Sequence, residues 1–479
     1  MRGVRSVHFV GIGGAGMCGI AEILLAQGFT VSGSDLQDSP VTRRLGALGV
    51  RVSRGHSAAA VGEVDVVVVS SAIREGNPEV AAARNAHVPV IGRGEMLAEL
   101  MRGRFGIAVA GSHGKTTTAC LVASVFEAAG CEPTYVIGGQ VTSAGANGRL
   151  GTGRHMIAEA DESDASLLFL KPVLAVITGV DRDHLDTYGQ DFERLKTTFV
   201  DFAEQLPFYG CALIAADDPH ARELAERISR PTRHYGFSPD AHYRASNVGV
   251  EAGRWTFDVT RPARDALRVS IPLPGNHNTL NALAAIAVAT EEGVADDAIV
   301  AGLSECQGVE RRFRVGRGFV DSKPVLIVDD YGHHPTEIAH VIDTVRHMWP
   351  GRRLAMVYQP HRFTRTRDLL AEFAAVLARA DALLLVEVYG AGEDAIVGAD
   401  SRALATAIRQ RNGSDVPVVA TPADAMAALP DWAAADDVLV IQGAGDVGEL
   451  ASAVAVPSIG GGVGEPSAGE REGLAPRMR

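Results

Sequence analysis

The segment from residue 105 to residue 129 places the strongest constraint on the fold of this chain. An apolar run at residues 105–110 predicts a buried strand, and residues 119–129 predict a helix. The turn between them consists of Gly111, Ser112, His113, Gly114, Lys115, Thr116, Thr117 and Thr118. Backbone N–H groups at such a turn and at a helix N-terminus hold phosphate oxygens well. The segment therefore predicts a nucleoside triphosphate site within an α/β domain.

The turn is a shortened form of the common phosphate loop. The full pattern has a glycine at position 109, which is Val109 here. Lys115 can neutralise charge on the β- and γ-phosphates, and the Thr116 hydroxyl can complete a Mg²⁺ shell. The alternative is a turn that merely links strand and helix. Three threonines after a lysine are poor helix material, which weakens that alternative.

The composition of the chain limits the classes of protein to which it can belong. The chain has 479 residues, 46% of them hydrophobic and 22% charged, which indicates about three domains of a soluble enzyme. Five cysteines without a C-x-x-C pair argue against a disulfide framework and a zinc site. A net charge of −13 argues against a nucleic-acid partner. With no apolar span and no signal peptide in view, we expect a cytoplasmic monomer or homodimer without a membrane partner.

Strand and helix patterns alternate in three series, which predicts parallel, doubly wound sheets. The pattern restarts after residues 102–104 and again after residues 316–318. The predicted domains are residues 1–103, 104–318 and 319–455. Residues 456–479 are rich in Gly, Pro, Ser, Glu and Arg, and predict a disordered tail.

A second glycine-rich turn lies near the start of the chain. Gly11, Gly13 and Gly16 match G-x-G-x-x-G, and Asp35 ends the next predicted strand. This is the dinucleotide fingerprint, and by itself it favours an NAD-dependent oxidoreductase. A UDP-sugar offers the same diphosphate and diol, and the glycines could also serve close packing alone.

Four carboxylates crowd into six residues at the end of another predicted strand: Glu159, Asp161, Glu162 and Asp164. Such a cluster needs a cation or a solvated loop. Its place one strand after the phosphate loop favours Mg²⁺, and His184, after the following strand, is a candidate second ligand. The alternative for His184 is a purely structural role. Lys196 follows on an amphipathic stretch, and for it the alternative to a role in the site is a solvated lysine on a helix surface.

Two further polar loops, at residues 329–335 and 359–367, follow predicted strands of the third series. Two strand ends of one sheet would face the same crevice. Arg362, Arg365 and Arg367 could give bidentate donors to a carboxylate, or could form a basic surface turn.

Taken together, the motifs resemble the Mur ligase family over about residues 5 to 450. The resemblance is carried by Gly-Ser-His-Gly-Lys-Thr-Thr-Thr, Glu-Ala-Asp-Glu-Ser-Asp, Asp-His-Leu-Asp, Gly-Asn-His-Asn-Thr-Leu-Asn-Ala and Asp-Asp-Tyr-Gly-His-His-Pro, in this order. It implies a Rossmann-like N-terminal domain, a central P-loop ATPase-like domain and a Rossmann-like C-terminal domain. It also implies an ATP-dependent amino-acid ligase of peptidoglycan synthesis.

Finer motifs within the family imply one reaction. The residues at 11–17, 70–73 and 359–367 resemble those of members that join L-alanine to the lactyl carboxylate of UDP-N-acetylmuramate through an acyl phosphate. ATP and Mg²⁺ would be required, and ADP and phosphate released. The implied substrate residues are Gly13, Gly14, Ala15, Gly16, Asp35, Ser70, Ser71, Tyr331, Arg362 and Arg365.

The resemblance also assigns the catalytic and nucleotide residues. Thr116, Glu159 and His184 would hold the metal. His277, Asn278 and Arg312 would lie near the nucleotide. We hypothesise that His333 or His361 takes the ammonium proton. Some family members carry a carbamylated lysine, but the spacing from His184 is shorter here, so we predict that Lys196 is unmodified.

Four other functions compete with this interpretation. The nearest is a ligase of the same kind that attaches a peptide to the muramyl sugar. A folylpolyglutamate synthase-type ligase would lack the N-terminal glycine-rich domain. An NAD-dependent oxidoreductase leaves Lys115 and the acidic cluster without a role. A non-catalytic nucleotide-binding regulator would bind ATP without turnover.

Overall fold

The computed structural model describes residues 1–74 and 76–455, so the predicted tail at 456–479 lies outside the described residues. Contacts divide the chain into two compact units. Of the described residues, the first unit comprises 1–74, 76–247, 257–272 and 276–310, and the second comprises 248–256, 273–275 and 311–455. Three separate sheets confirm the predicted three-domain α/β architecture.

The first sheet has five parallel strands in the order β3-β2-β1-β4-β5. The strands are β1 (Ser6–Val10), β2 (Thr30–Asp35), β3 (Arg51–Arg54), β4 (Val66–Val69) and β5 (Val90–Gly92). The helices are α1 (Ala15–Ala26), α2 (Pro40–Ala47), α3 (Ala58–Val61), α4 (Pro78–Asn85) and α5 (Arg93–Met101). Buried apolar clusters lie on both faces, as an apolar run such as β4 predicts.

The second sheet has ten strands in the order β15-β14-β13-β12-β11-β10-β6-β9-β7-β8. The strands are β6 (Phe105–Ala110), β7 (Thr134–Val141), β8 (Ala146–Arg149), β9 (His155–Glu159), β10 (Leu174–Ile177), β11 (Cys211–Ala215), β12 (Thr232–Gly236), β13 (Tyr243–Glu251), β14 (Arg254–Arg261) and β15 (Arg264–Ile271). The helices are α6 (Lys115–Ala128), α7 (Phe192–Glu204), α8 (Pro219–Arg227), α9 (Asn276–Glu291) and α10 (Asp296–Glu305). Short 3₁₀ turns occupy Ser166–Phe169 and Leu185–Tyr188.

Helix α6 begins at Lys115, whereas the sequence predicted a start at Ala119. The first turn therefore contains three threonines of modest helix propensity. Thr116, Thr117 and Thr118 are all buried, at 8%, 7% and 0% exposure. Packing of these side chains outweighs propensity here.

The first two sheets share one compact unit because α1 packs directly on β7 and β8. A Cβ added to Gly148 would lie 2.3 Å from the carbonyl oxygen of Gly19, so the two backbones approach too closely for a side chain. Nearby, the Glu22 carboxylate accepts the Gly148 N–H at 2.9 Å and pairs with Arg44 at 2.7 Å. The predicted boundary at residue 103 thus separates two sheets that share one apolar core.

The third sheet lies in the second unit and has the order β16-β17-β21-β18-β19-β20. The strands are β16 (Arg314–Val320), β17 (Lys323–Asp330), β18 (Leu354–Tyr358), β19 (Ala382–Val386), β20 (Val418–Val419) and β21 (Val438–Gln442). The helices are α11 (Pro335–Met348), α12 (Phe363–Asp368), α13 (Leu370–Leu377), α14 (Ser401–Asn412), α15 (Pro422–Trp432) and α16 (Gly448–Val454). Among the described strands of this sheet, only β16 is antiparallel to its neighbour, and apolar clusters cover both faces.

Two predictions drawn from composition can be compared with the described residues. Within residues 1–74 and 76–455, no helix combines the length and apolar character that a membrane crossing requires. Cys18, Cys120, Cys211 and Cys306 are buried and Cys131 is partly buried, all as free thiols.

Candidate active site

The phosphate loop has the backbone geometry of an anion site. Gly111 and Gly114 have φ of +124° and +80°, a region that glycine adopts without strain. A Cβ at Gly114 would lie 2.5 Å from Oδ1 of Asn281. Gly114 is also the N-cap of α6 and gives no side-chain cap, so the first amides of the helix face an incoming anion. Val109, at the position where the full pattern has a glycine, lies within β6 and pairs with Glu159 of β9. The turn therefore begins after this position.

Lys115 is held inside this loop by a carboxylate that the sequence analysis did not single out. Its Nζ donates to Oε1 and Oε2 of Glu162, each at 2.8 Å, and to the Gly111 carbonyl at 2.7 Å. The side chains of Lys115 and Glu162 are 16% and 1% exposed. Burial opposes the charge of Lys115, but Glu162 outweighs it and raises the lysine pKa. Burial, aided by Asp161, raises the pKa of Glu162 to about 7 despite Lys115.

The rest of the acidic cluster is tied to the first sheet. Nη2 of Arg93, the first residue of α5, donates to Asp161 at 2.8 Å and to Asp164 at 3.1 Å. Burial disfavours the Asp161 carboxylate, yet Arg93 and Lys115 together lower its pKa to about 2. The cluster is therefore a partly buried ion network and not a solvated loop.

The order of the second sheet brings the predicted metal ligands to one edge. Strand β6 lies between β9 and β10, and all three are parallel, so Thr116, Glu159 and His184 follow the same ends of adjacent strands. Oε1 of Glu159 accepts the Gly138 N–H at 2.6 Å, which fixes the carboxylate. The Glu159 carboxylate and the Thr116 hydroxyl are oxygen donors that suit Mg²⁺ beside substrate phosphates, so these two residues fit that ion.

The first glycine-rich turn is braced by β2. Gly11 and Ile12 donate to the Ser34 carbonyl at 2.9 and 3.0 Å, and Gly13 N–H donates to Oδ2 of Asp35 at 2.9 Å. Gly14 caps α1 without a side-chain hydrogen bond, which leaves the amides at Ala15 and Gly16 oriented for an anion.

The other predicted residues near this turn have simpler surroundings. The other carboxylate oxygen of Asp35 accepts the Gln37 N–H. Backbone amides therefore bind both of the oxygens that were expected to contact a ribose. The Ser70 side chain lies beside Gly11, while Ser71 is exposed.

Helix α9 connects the predicted adenine segment with the phosphate loop. Asn278 is buried and accepts from Nδ2 of Asn281 at 3.1 Å. Asn281 in turn accepts from the Thr118 hydroxyl at 3.1 Å. His277 precedes this pair on the same helix, in the first unit.

In the second unit, the ends of β17, β18 and β19 bring four rings together. Tyr331 meets His333 edge-on at 5.8 Å, His333 lies 5.6 Å from His361, and His361 stacks on Tyr389 at 5.7 Å with an interplanar angle of 10°. The two candidate bases are therefore neighbours. We call Tyr331, His333, His361 and Tyr389 the ring cluster.

The predicted arginines surround this cluster. Arg365 is buried at 7% exposure and donates to the His361 carbonyl at 3.2 Å, on the first turns of α12. Arg362 lies 3.7 Å from Glu393, and Arg367 is exposed. Arg312 stands over Tyr331 at 5.2 Å and pairs with Glu337 at 3.7 Å.

Comparison with known families agrees with this arrangement. Residues 6–105 match the Mur ligase family catalytic domain, residues 109–289 the Mur ligase middle domain, and residues 311–445 the Mur ligase glutamate ligase domain. Three successive domains of one family thus span most of the chain. The chain belongs to the Mur ligase family. As a Mur ligase, it is an ATP-dependent ligase of peptidoglycan synthesis.

Solved structures show which Mur ligases it is similar to. A UDP-N-acetylmuramate-alanine ligase from Thermotoga maritima matches with a TM-score of 0.79 and 26% identity, covering 94% of this chain and 97% of that one. A murein peptide ligase from Psychrobacter arcticus matches with a TM-score of 0.71 and 24% identity, over 94% and 98%. A UDP-N-acetylmuramate:L-alanyl-gamma-D-glutamyl-meso-diaminopimelate ligase from Neisseria meningitides is 30% identical, with a TM-score of 0.59, over 64% of this chain and 100% of its own.

The structure adds residues to the Mur ligase site that sequence reasoning did not assign. Glu162 and Asn281 both lay inside recognised motifs, so a search for a partner of Lys115 or of the loop would have reached them. Arg93 and Tyr389 lay outside every motif. Nothing in the sequence near them signals the contacts that they make.

Proposed function

We propose that this Mur ligase joins L-alanine to the lactyl carboxylate of UDP-N-acetylmuramate. The observation that carries the proposal is the greater structural similarity to the Thermotoga maritima alanine ligase than to the murein peptide ligase. The buried Arg365 beside the ring cluster supports it, because a fixed guanidinium suits the carboxylate of a small amino acid.

The proposed reaction has two steps. The lactyl carboxylate attacks the γ-phosphorus of ATP, giving an acyl phosphate and ADP. The amine of L-alanine then attacks the acyl carbon, phosphate leaves from the tetrahedral intermediate, and a base takes the ammonium proton. The first step turns an oxygen of the carboxylate, a poor leaving group, into phosphate, a good one, and the second step expels that phosphate, which is why ATP is required.

The residues of this chain position the reactants. Lys115 offsets charge on the transferring phosphoryl group, and the amides of the loop hold the β-phosphate. Thr116, Glu159 and His184 would hold Mg²⁺, which supplies further charge neutralisation. Gly13 to Gly16 would hold the diphosphate of the sugar nucleotide, and His333 or His361 would accept the proton.

We further propose the domain assignment and setting that accompany this reaction. Residues 1–103 would bind the sugar nucleotide, residues 104–318 ATP, and residues 319–455 the amino acid. The reaction uses ATP and a nucleotide-activated sugar, so we place it in the cytoplasm.

Release of ADP tests the proposal. Purified protein is supplied with UDP-N-acetylmuramate and ATP, and then with L-alanine, glycine, L-serine or the tripeptide of the rival ligases. We expect ADP and a new UDP-linked product with L-alanine, and neither in a Lys115→Met variant. Turnover with the tripeptide but not with L-alanine would instead establish a murein peptide ligase.

A further inference from the structure

Arg93 lies between the two glycine-rich turns of the first unit. It opens α5 directly after the edge strand β5, and Nη2 makes its three hydrogen bonds to Asp161, Asp164 and Ser166. Its side chain is only 13% exposed. The helix is held there by close backbone contact, since a Cβ at Gly94 would lie 2.4 Å from Cβ of Ser166.

Nη1 of the same guanidinium faces the first turn of α1. A Cβ placed on Gly16 would lie 2.5 Å from Nη1 and 2.9 Å from Cδ of Arg93. Within residues 1–74 and 76–455, Nε and Nη1 of Arg93 make no hydrogen bond with protein. A guanidinium carries five donors in a rigid plane, so Nη2 can stay on the carboxylates while the N–H groups of Nη1 serve a second anion.

We propose that Arg93 is a positioning residue that gives the N–H groups of its Nη1 to the diphosphate of the sugar nucleotide. This inference rests on the proposed function, which places that diphosphate at the turn of Gly13 to Gly16. The glycine at position 16 leaves the space that the guanidinium needs to reach the turn.

The position of Arg93 also links the two substrates. Its carboxylate partners belong to the same acidic cluster that contains Glu162, the partner of Lys115. Three carboxylates of that cluster, Asp161, Glu162 and Asp164, stand against two cations, Arg93 and Lys115. A diphosphate that draws on Arg93 leaves the cluster more negative, which favours the cationic metal that accompanies ATP. Sugar nucleotide and metal-bound nucleotide should therefore bind with positive coupling, equal in both directions.

The test measures binding to the intact protein and to Arg93→Met, with Arg102→Met as matched control. Arg102 follows the same helix, is exposed and pairs only with Glu99 among the described residues. The probes are UDP, UDP-N-acetylmuramate and metal-free ADP in calorimetry. Loss of charge-assisted hydrogen bonds should weaken both uridine ligands by roughly 10- to 100-fold in Arg93→Met. Metal-free ADP should bind as before, and Arg102→Met should behave as the parent protein.

A second variant separates binding from folding. Arg93→Lys keeps a positive charge beside Asp161, but its single ammonium nitrogen cannot occupy the positions of both Nη1 and Nη2, so UDP should still bind more weakly while the melting temperature stays near that of the parent. Unchanged UDP affinity in both variants, with a lower melting temperature, would make Arg93 a structural link only. Loss for UDP-N-acetylmuramate but not for UDP would move its contact to the sugar and overturn the diphosphate assignment. A parent protein that binds neither uridine ligand would refute the proposed function itself.

Discussion

Lys115 donates to both carboxylate oxygens of Glu162 at 2.8 Å, so the lysine of the phosphate loop already has an anion before any nucleotide arrives. A nucleotide phosphate must displace Glu162 from Lys115 or bind Lys115 alongside it. The Glu162 side chain is buried and the Lys115 side chain is only 16% exposed, so the exchange takes place at reduced dielectric, where each ionic contact is strong. The first two predictions follow from this competition.

Replacement of Glu162 by Gln should remove the anion that competes with phosphate for Lys115, while the lysine keeps its charge. Added ATP should therefore raise the melting temperature more in Glu162→Gln than in the parent, since phosphates supply the missing anion. Thermal unfolding with and without ATP measures the difference. Asp201→Asn, an exposed acid on α7, is the control. Equal stabilisation by ATP in both proteins would contradict the competition.

The same pair predicts a pH dependence of nucleotide binding. The pKa of Glu162 is raised from 4.5 to about 7, so the folded protein holds a proton there that the unfolded chain has lost. Its contribution to stability therefore falls as pH rises through that window. When Glu162 is protonated, its neutral carboxyl group no longer holds Lys115 by charge, so the lysine is available to a phosphate. Metal-free ADP should therefore bind more tightly at about pH 6 than at about pH 8.

Calorimetry in the presence of a chelator measures this trend. The phosphates of ADP titrate in the same range, so the informative quantity is the difference between the parent protein and Glu162→Gln. That variant should lose the part of the trend that Glu162 contributes. Identical pH profiles for the two proteins would show that Glu162 does not titrate in this range.

A stability prediction concerns Arg261, whose fully buried guanidinium gives two 2.7 Å hydrogen bonds to Asp296. Asp296→Asn should lower the free energy of unfolding by about 2 kcal/mol, less than for a fully buried pair because the Asp296 side chain is 42% exposed. Urea unfolding measures the loss. Asp297→Asn, exposed on the same helix turn, should have little effect.

Acid unfolding gives an independent check on that pair. Hydrogen bonds from Arg261 lower the pKa of Asp296 from 3.8 to about 2. The unfolded chain binds a proton first, so the stabilisation is complete above pH 3.8 and disappears as pH falls toward 2. The Asp296→Asn variant should not show this loss of stability as pH falls, because the titrating carboxylate is absent.

The ring cluster carries the prediction about the base. His333→Asn or His361→Asn should slow amide formation by about a hundredfold while acyl phosphate formation continues, because only the second step releases a proton from the amine. Trapping of the acyl phosphate with hydroxylamine separates the two steps. Arg402→Lys, at an exposed position on α14, is the control. Full ligation rates in both histidine variants would eliminate this hypothesis.

Lys196 is predicted to be unmodified, and its surroundings support that prediction. Its Nζ contacts both oxygens of Glu223, at 3.0 and 2.8 Å, and also pairs with Glu193. A carbamate there would place a third negative charge between two carboxylates. Mass spectrometry of the intact protein and of the peptide containing Lys196 should show no added CO₂. An increase of that mass on the peptide would prove the prediction wrong.

Much of the local structure was predictable because it depends on neighbours in the chain. The strands Ser6–Val10, Phe105–Ala110 and Cys211–Ala215 have the predicted bounds, since short apolar runs between polar turns leave few alternatives. Both glycine-rich turns were predicted for the same reason. The start of α6 was not, because the buried packing of Thr116 and Thr118 decides it.

The sequence by itself determined where this protein holds anions, because glycine turns, helix starts and strand ends are properties of a few consecutive residues. Only the tertiary structure decided which charges meet there. Four carboxylates within six residues are equivalent in a linear pattern, yet Glu162 takes Lys115 while Asp161 and Asp164 take Arg93, about seventy residues away in the chain. The physical reason is that ion pairing depends on burial and on sheet order, and both arise only when distant segments pack.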